Sequence, residues 1–291
     1  MADTTVVIPC YNEKPALLMT AVTSARQNSA DMVVVDDGST DVQTLQTLEN
    51  LQDRGIRVIT THNGGPSHAR NVGIRESTSE YIVPLDSDDH LLPGYIAAMS
   101  QALEDRPDVA FVYSGWRTAG LEDATIEPPP MMTMEQLSRS CPNNNTVLFR
   151  RRDWDQLGGY DETLRVGYED WEWLLRLLIH GGGLATRVDG IHYVYLRREG
   201  SRHIVNTRSI AALQATRTAM LANNPGWEKT IAMGQVHDIE AAYEQGQLQS
   251  PLAEDATRVS HYWASRFGRL EGLLKRMRPV DRLWDRFVAK S

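Results

Sequence analysis

The sequence predicts an α/β protein, a mostly parallel sheet flanked by helices, followed by an all-helical C-terminal extension. Three observations carry this expectation. Short β-branched runs alternate with amphipathic stretches of helical length over the first half, the pattern of right-handed βαβ crossovers. Three of the strand ends carry polar clusters, where open α/β sheets bind their ligands. After about residue 206 the apolar spacing is helical throughout, so the chain divides into 1–205 and 206–291.

Each element has its own justification. Val6-Val7-Ile8 reads as a buried strand, and Asn12 with Pro15 as the cap and first-turn proline of a helix through Arg26. Met32 to Val35 forms the next strand, and Leu45, Leu48 and Leu51 mark the helix after it. Ile56 to Ile59 is a third strand, and the Gly-Gly-Pro turn at 64–66 starts a helix through Arg70 to Ile74. Tyr81 to Leu85 and Val109 to Tyr113 are further strands. Prolines, methionines and asparagines from Glu122 to Asn145 predict a mobile loop outside the core. Trp171, Leu174, Leu175 and Leu178 share one face of a helix from Tyr168 to Leu178. Ser250-Pro251 opens a long amphipathic helix that runs to Pro279.

Composition removes several classes. At 291 residues, 41% hydrophobic and 23% charged, the chain can bury a core of ordinary size. Two cysteines, Cys10 and Cys141, make neither a disulfide framework nor a four-thiolate zinc site, which predicts a reducing compartment. No apolar run approaches the ~18 residues of a membrane span. The N-terminus lacks a basic region followed by a long apolar one, so it does not read as a signal peptide. A net charge of −8 argues against nucleic acid as a partner. The charge is uneven: from Arg266 onward eight basic residues face three acidic ones (+5), and the rest carries 22 against 35 (−13).

Chemistry concentrates in Pro9-Cys10-Tyr11-Asn12-Glu13, Asp36-Asp37-Gly38-Ser39 and Asp86-Ser87-Asp88-Asp89. Aspartates gathered on one sheet rim are electrostatically costly without a cation. Hard carboxylate oxygens suit Mg²⁺ or Mn²⁺, which share their coordination with substrate phosphates. Asp and Ser after a strand also serve simply as helix caps. The third cluster is not a calcium hand, since His90 and Leu91 occupy positions that need an acid or amide and a glycine. Neither a dinucleotide fingerprint nor a Gly-Lys-Ser/Thr phosphate loop is present.

Taken together, the segments at 6–13, 34–41, 63–74 (Asn-Gly-Gly-Pro-Ser-His-Ala-Arg-Asn-Val-Gly-Ile), 85–89, 157–162 (Leu-Gly-Gly-Tyr-Asp-Glu) and 169–177 resemble the family 2 inverting glycosyltransferases of the GT-A fold. The resemblance covers residues 4–203 and leaves the extension outside. It implies a nucleotide-sugar donor, most simply a UDP-sugar, and a glycan or lipid-linked acceptor, as in surface polysaccharide assembly. Pro9 and Tyr11 would lie against the base, with Glu13 at the same edge. Asp37 would accept a hydrogen bond from the base, and Arg70 would approach the base or phosphates. Asp86 would serve the ribose or the metal, and Asp88 the metal that bridges the diphosphate. Asp89 would assist or cap the next helix. Asp170 would be the general base, with Glu169 and Trp171 beside it as acceptor contacts. Glu169 and Asp170 also fit as first-turn acids, and Trp171 as core. His203, and after it His192, are candidates to complete the metal shell. His68, where the family has a small residue, would narrow donor choice. Arg197, Arg198 and Arg202 form a basic loop in the region that closes over the diphosphate in the family, or else a solvated face.

Two other readings stand beside this one. A catalytically silent subunit that binds nucleotide sugars would keep the fold without the turnover. A sugar nucleotidyltransferase would instead show a Gly-rich basic loop after the first strand, and none is present. The apolar stripe and basic residues of 252–290 predict peripheral contact with an anionic membrane, a homodimer seam, or packing on the catalytic domain. The expected location is the cytoplasm, with the inner membrane face as the docking surface that stripe would use.

Overall fold

The computed structural model describes residues 3–165, 167–198 and 210–235. His203 and the 252–290 stripe lie outside the described residues. Among those described, ten strands form one sheet in the order β3-β2-β1-β4-β9-β6-β10-β5. These are β1 (Thr4–Cys10), β2 (Asp31–Asp36), β3 (Arg57–Thr60), β4 (Tyr81–Pro84), β5 (His90–Leu91), β6 (Phe111–Gly120), β9 (Leu148–Arg150) and β10 (Leu184–Arg197). Two short strands flank the path: β7 (Thr125–Ile126) pairs with β6, and β8 (Met131–Thr133) with β10. The expected parallel sheet is present at β3-β2-β1-β4 and again at β6-β10, with β9 antiparallel between the two parts. Strand order reverses between β1 and β4, and this switch point places the functional cleft.

The helices are α1 (Pro15–Gln27), α2 (Val42–Asp53), α3 (Pro66–Arg75), α4 (Tyr95–Asp105), α5 (Met134–Arg139), α6 (Arg151–Leu157), α7 (Glu169–His180) and α8 (Ile210–Ala222). Pro15 occupies the first turn of α1 as expected, but Lys14 rather than Asn12 stands at the cap. Asn12 adopts φ 48°. Its Oδ1 accepts from the backbone N–H groups of Thr40 and Asp41, at 2.7 and 2.9 Å. A short amide side chain tolerates that left-handed conformation, and here it ties the loop after β1 to the loop after β2. Asp41 caps α2 by accepting from Thr44 N–H at 2.9 Å. α3 lies so close to the sheet that a Cβ on Gly73 would meet Val7 Cγ1 at 2.4 Å.

The alternation of β1 sends Val6 and Val7 to opposite faces, each into its own core. One core holds Ile8, Leu18, Val34, Leu85, Tyr95 and Tyr193. The other holds Phe111, Phe149 and most of α7. That helix is buried nearly all round: Trp173 and Leu177 are as inaccessible as Leu174 and Leu178. Its one-sided reading therefore fails, because α8 and α5 cover it as well as the sheet. The 122–145 stretch is corrected in the same way. Its Met132 and Leu137 are fully buried in the α7 core. α5 carries a capping box, with Thr133 Oγ1 accepting from Gln136 N–H and the Gln136 side chain accepting from Thr133 N–H. Residues 210–235 begin the predicted helical region, and Met220, Leu221, Ile231 and Ala232 pack into that same core. No helix among the described residues is long and apolar enough to cross a membrane.

Candidate active site

An open cleft of about 870 Å³ lies beyond the carboxyl ends of β1, β2 and β4. The starts of α3 and α7 and the 139–146 segment complete its walls. It gathers Pro9, Tyr11, Glu13, Asp37, Arg70, Asp86, Asp88, Asp89, Glu169, Asp170 and Trp171. These residues come from five separate segments of the chain.

At one end Tyr11 is half-exposed beside Pro9, an aromatic face on the solvent side of the β1 loop. Asp37 is buried behind it and accepts from Gly64 and Gly65 N–H, both at 2.8 Å. A carboxylate that accepts two backbone bonds is rigidly placed and retains lone pairs for a further donor. Glu13 is also buried; one oxygen accepts from Lys14 N–H at 2.8 Å and the other pairs with Arg198 at 2.6 Å. Arg198 reaches Asp88 as well, at 3.1 Å. It belongs to the site, whereas its neighbour Arg197 pairs with Glu122 outside.

Burial, and then the neighbouring Asp86, push the Asp88 carboxyl up to about 6 against the pull of Arg198. Asp89 is fully buried, and burial followed by the Asp88 charge raises it well above the usual range. Its Oδ1 accepts from Leu196 N–H at 2.9 Å. The following helix is capped at Gly94 instead, so Asp89 fastens β10 to the acidic loop and caps nothing.

Arg70 is the centre of the cleft floor. It is buried, not a surface residue, and donates to Asp86 at 2.7 Å and to Glu169 at 2.9 Å. Its guanidinium lies 5.5 Å from the Tyr160 ring centre. Asn145, with its amide oxygen turned toward Arg70, accepts from Nε at 2.9 Å and donates to Tyr160 Oη at 3.0 Å. Burial opposes the charge, but Asp86 and Glu169 outweigh it and hold Arg70 above its ordinary value.

Asp170 stands in the first turn of α7, after Tyr168 in a left-handed conformation (φ 60°). Its Oδ1 accepts from Trp171 N–H at 2.8 Å. Burial first, then the adjacent Glu169 charge, raise its carboxyl to about 6, while Arg70 pulls it down. The group is therefore ionised at neutral pH yet more basic than an ordinary carboxylate, the compromise that general-base catalysis requires. The two candidate acceptor contacts are both buried. Glu169 is committed to Arg70, and the indole N–H of Trp171 donates to Leu137 O at 2.6 Å. Trp171 is a core residue at the cleft's border.

The two described candidates, His68 and His192, lie elsewhere. His68 faces Thr61 Oγ1 at 3.0 Å and Glu162 at 2.8 Å, and it does not line the cleft. Its ring instead packs on Gly64, where a Cβ would sit 2.4 Å from it. His192 faces Asp189 O at 2.9 Å, also away from the cleft.

Asp86 and Asp88 offer two hard oxygen donors on one rim. Among the described residues no group of three or more His, Cys, Asp or Glu is placed to hold a metal by itself. Two carboxylates fit a divalent cation that takes its remaining ligands from phosphate and water, as Mg²⁺ commonly does. Arg139, Asn143, Arg165 and Arg217 are among the lining residues that escaped sequence reasoning. They sit on segments with no recognisable motif.

The family model described as glycosyl transferase family 2 matches residues 5–153. The succinoglycan biosynthesis protein ExoO of Rhizobium meliloti is 31% identical over 220 residues, covering 68% of this chain and 62% of that protein. A glycosyltransferase of Haemophilus influenzae is 27% identical over 183 residues, covering 60% and 61%. The chain thus spans less than two thirds of these relatives. Among solved structures, S. aureus TarS 1–349 in complex with UDP superposes with a TM-score of 0.63 at 18% identity, covering 83% of this chain and 72% of that one. The sequence match and the shared architecture agree: this chain belongs to glycosyl transferase family 2 and has the GT-A fold of nucleotide-sugar glycosyltransferases.

Proposed function

We propose that the chain is an inverting, metal-dependent glycosyltransferase. It would move a sugar from a nucleotide-sugar donor, most simply a UDP-sugar, to an acceptor hydroxyl in surface polysaccharide or glycoconjugate assembly. The observation that carries this reading is one cleft with an acidic, loop-bound rim at one end and a carboxylate of raised basicity at the other. Arg70 joins the two ends through Asp86 and Glu169. The relatives support it: TarS has been crystallised with UDP and with UDP-GlcNAc, and ExoO takes its name from succinoglycan biosynthesis.

The chemistry is a single displacement. Asp170 takes the acceptor hydroxyl proton as that oxygen bonds to the anomeric carbon. The bond from that carbon to the phosphate oxygen breaks on the opposite face, and its electron pair leaves with the nucleoside diphosphate. Tyr11 and Pro9 hold the base, and Asp37 accepts from its N–H. Asp88 and Asp86 would hold Mn²⁺ or Mg²⁺, which would supply positive charge to offset that of the departing diphosphate. Arg198, already between Glu13 and Asp88, is placed to exchange a carboxylate for a phosphate oxygen.

The test is a panel of UDP-sugars incubated with the purified chain and Mn²⁺, read as donor consumption and UDP release. Slow hydrolysis of one donor supports transfer. Donor binding without turnover supports a silent binding subunit, and pyrophosphate release from a nucleoside triphosphate supports a nucleotidyltransferase.

A further inference from the structure

The base end of the cleft has a charge pattern of its own. Arg139, Arg165 and Arg217 line the same cleft as Asp170. Glu169, the other acid at that end, is already paired with Arg70. Arg139 ends α5, two residues beyond Leu137, whose carbonyl accepts the indole N–H of Trp171, the residue after the base. Arg217 follows Thr216, whose hydroxyl reaches Gly167 O at 3.3 Å in the loop just before the base. Arg165, five residues before the base, is exposed and passes beside Gly65, whose N–H donates to Asp37, so it lines the wall between the donor end and the base. The guanidinium groups of Arg139 and Arg165 make no hydrogen bond or ion pair with any described residue. Asn143, nearly fully buried in the same wall, has an Oδ1 without a partner among the described residues. That oxygen is an acceptor suited to a sugar hydroxyl.

We propose that this end of the cleft binds an acceptor bearing an anionic group, a phosphate or a carboxylate, close to the hydroxyl that is glycosylated. Guanidinium groups recognise both anions through paired N–H donors. Amide and aromatic side chains, Asn143, Asn144 and Tyr168 among them, line the same cleft and suit a sugar ring, but a neutral glycan would leave the arginines desolvated without a counter-charge. Arg139 also complements the dipole of α5, but that six-residue helix carries only a weak dipole and leaves the guanidinium's paired N–H donors unused. The base carboxyl remains raised, with burial as the main cause and Arg70 as the arginine that opposes it most.

This inference rests on the donor reading of the cleft, and the test keeps the two apart. The full chain, saturated with UDP and Mg²⁺, is titrated calorimetrically with glucose, glucuronate and glucose 6-phosphate. These probes share a ring and differ only at C6. The expected result is that a charged probe binds at least about tenfold more tightly than glucose, a difference of about 1.4 kcal/mol. Whichever charged probe binds better identifies carboxylate or phosphate. In Arg139→Gln and in Arg165→Gln the preference should fall about fivefold, with circular dichroism and UDP affinity unchanged. Equal binding of all three probes to UDP-loaded protein, or an undiminished preference in both variants, would overturn the inference and leave the donor reading intact. Failure of UDP itself to bind would overturn both.

Discussion

Two buried arginines pair with glutamates one turn apart on α7, and their surroundings separate scaffold from site. Arg176 donates twice to Glu172, at 2.9 Å each, and to the carbonyls of Leu157 and Gly159. Glu172 is fully inaccessible and also accepts from Asn223 at 3.0 Å. That network closes away from the cleft: Asn223 carries it on to Asp161 at 3.0 Å, and it fastens α7 to the 157–161 segment and to the segment after α8. Arg70 is equally buried, but its network ends on Asp86, whose side chain is 39% exposed at the cleft. An ion pair that closes within the scaffold, away from the cleft, holds a helix in place. One that opens on a cleft presents charge to a ligand. The lesson is that burial alone does not identify a functional charge; the end of its hydrogen-bond chain does.

Variants of the open and closed networks should therefore fail in different ways. The largest effect is expected for Asp170→Asn, which keeps the side chain's shape and removes its basicity. Donor transfer should fall by about 10²–10⁴-fold, with UDP affinity unchanged by calorimetry. A variant that keeps more than a few per cent of the rate would remove Asp170 from the mechanism. Wild-type turnover should also lose its activity below about pH 6, the value to which burial raises this carboxyl.

Glu172→Gln tests the closed pair. It leaves Arg176 charged and underpaired in the core, a change that costs about 3–5 kcal/mol. Urea unfolding should show that loss, and the rate per folded molecule should not change. A variant that is stable but slow would place Glu172 in the site and abolish the distinction.

A smaller effect has the opposite sign. The folded-state pKa of Asp170 is raised, so the folded protein binds its proton more tightly than the unfolded chain between about pH 4 and 6. Stability from this group is greatest below about pH 4 and declines as pH rises through 6. Asp170→Asn should therefore be more stable than wild type at pH 8, by about 1–3 kcal/mol for a half-buried group. The gap should close as pH falls through that window. Urea titrations at pH 4 and 8 check this.

What could be read from the sequence was local. The β1, β2 and β4 strands declare themselves as continuous apolar runs, and Pro15 and Pro66 mark helix starts through single-residue chemistry. The acidic clusters follow directly in the chain, so their convergence at the sheet rim came with the topology. What escaped depends on distant partners. Arg70 and Glu169 are 99 residues apart, and Arg198 is 110 from Asp88. The 122–145 stretch is made of pieces too short for periodicity, and Met132 and Leu137 reveal their burial only once α7 is in place. Asn12 follows the same rule: its cap-like identity is correct chemistry applied to the neighbouring loop.

The central claim is that the acidic rim at Asp86 and Asp88 receives a nucleoside diphosphate through a shared cation. Calorimetric titration of UDP into wild type and Asp88→Ala, with and without Mn²⁺, tests it most directly. The account predicts that Mn²⁺ strengthens UDP binding to wild type by about tenfold or more, roughly 1.4 kcal/mol, and that the variant loses this enhancement. Equal enhancement in the two proteins, or UDP binding indifferent to Mn²⁺, would contradict it.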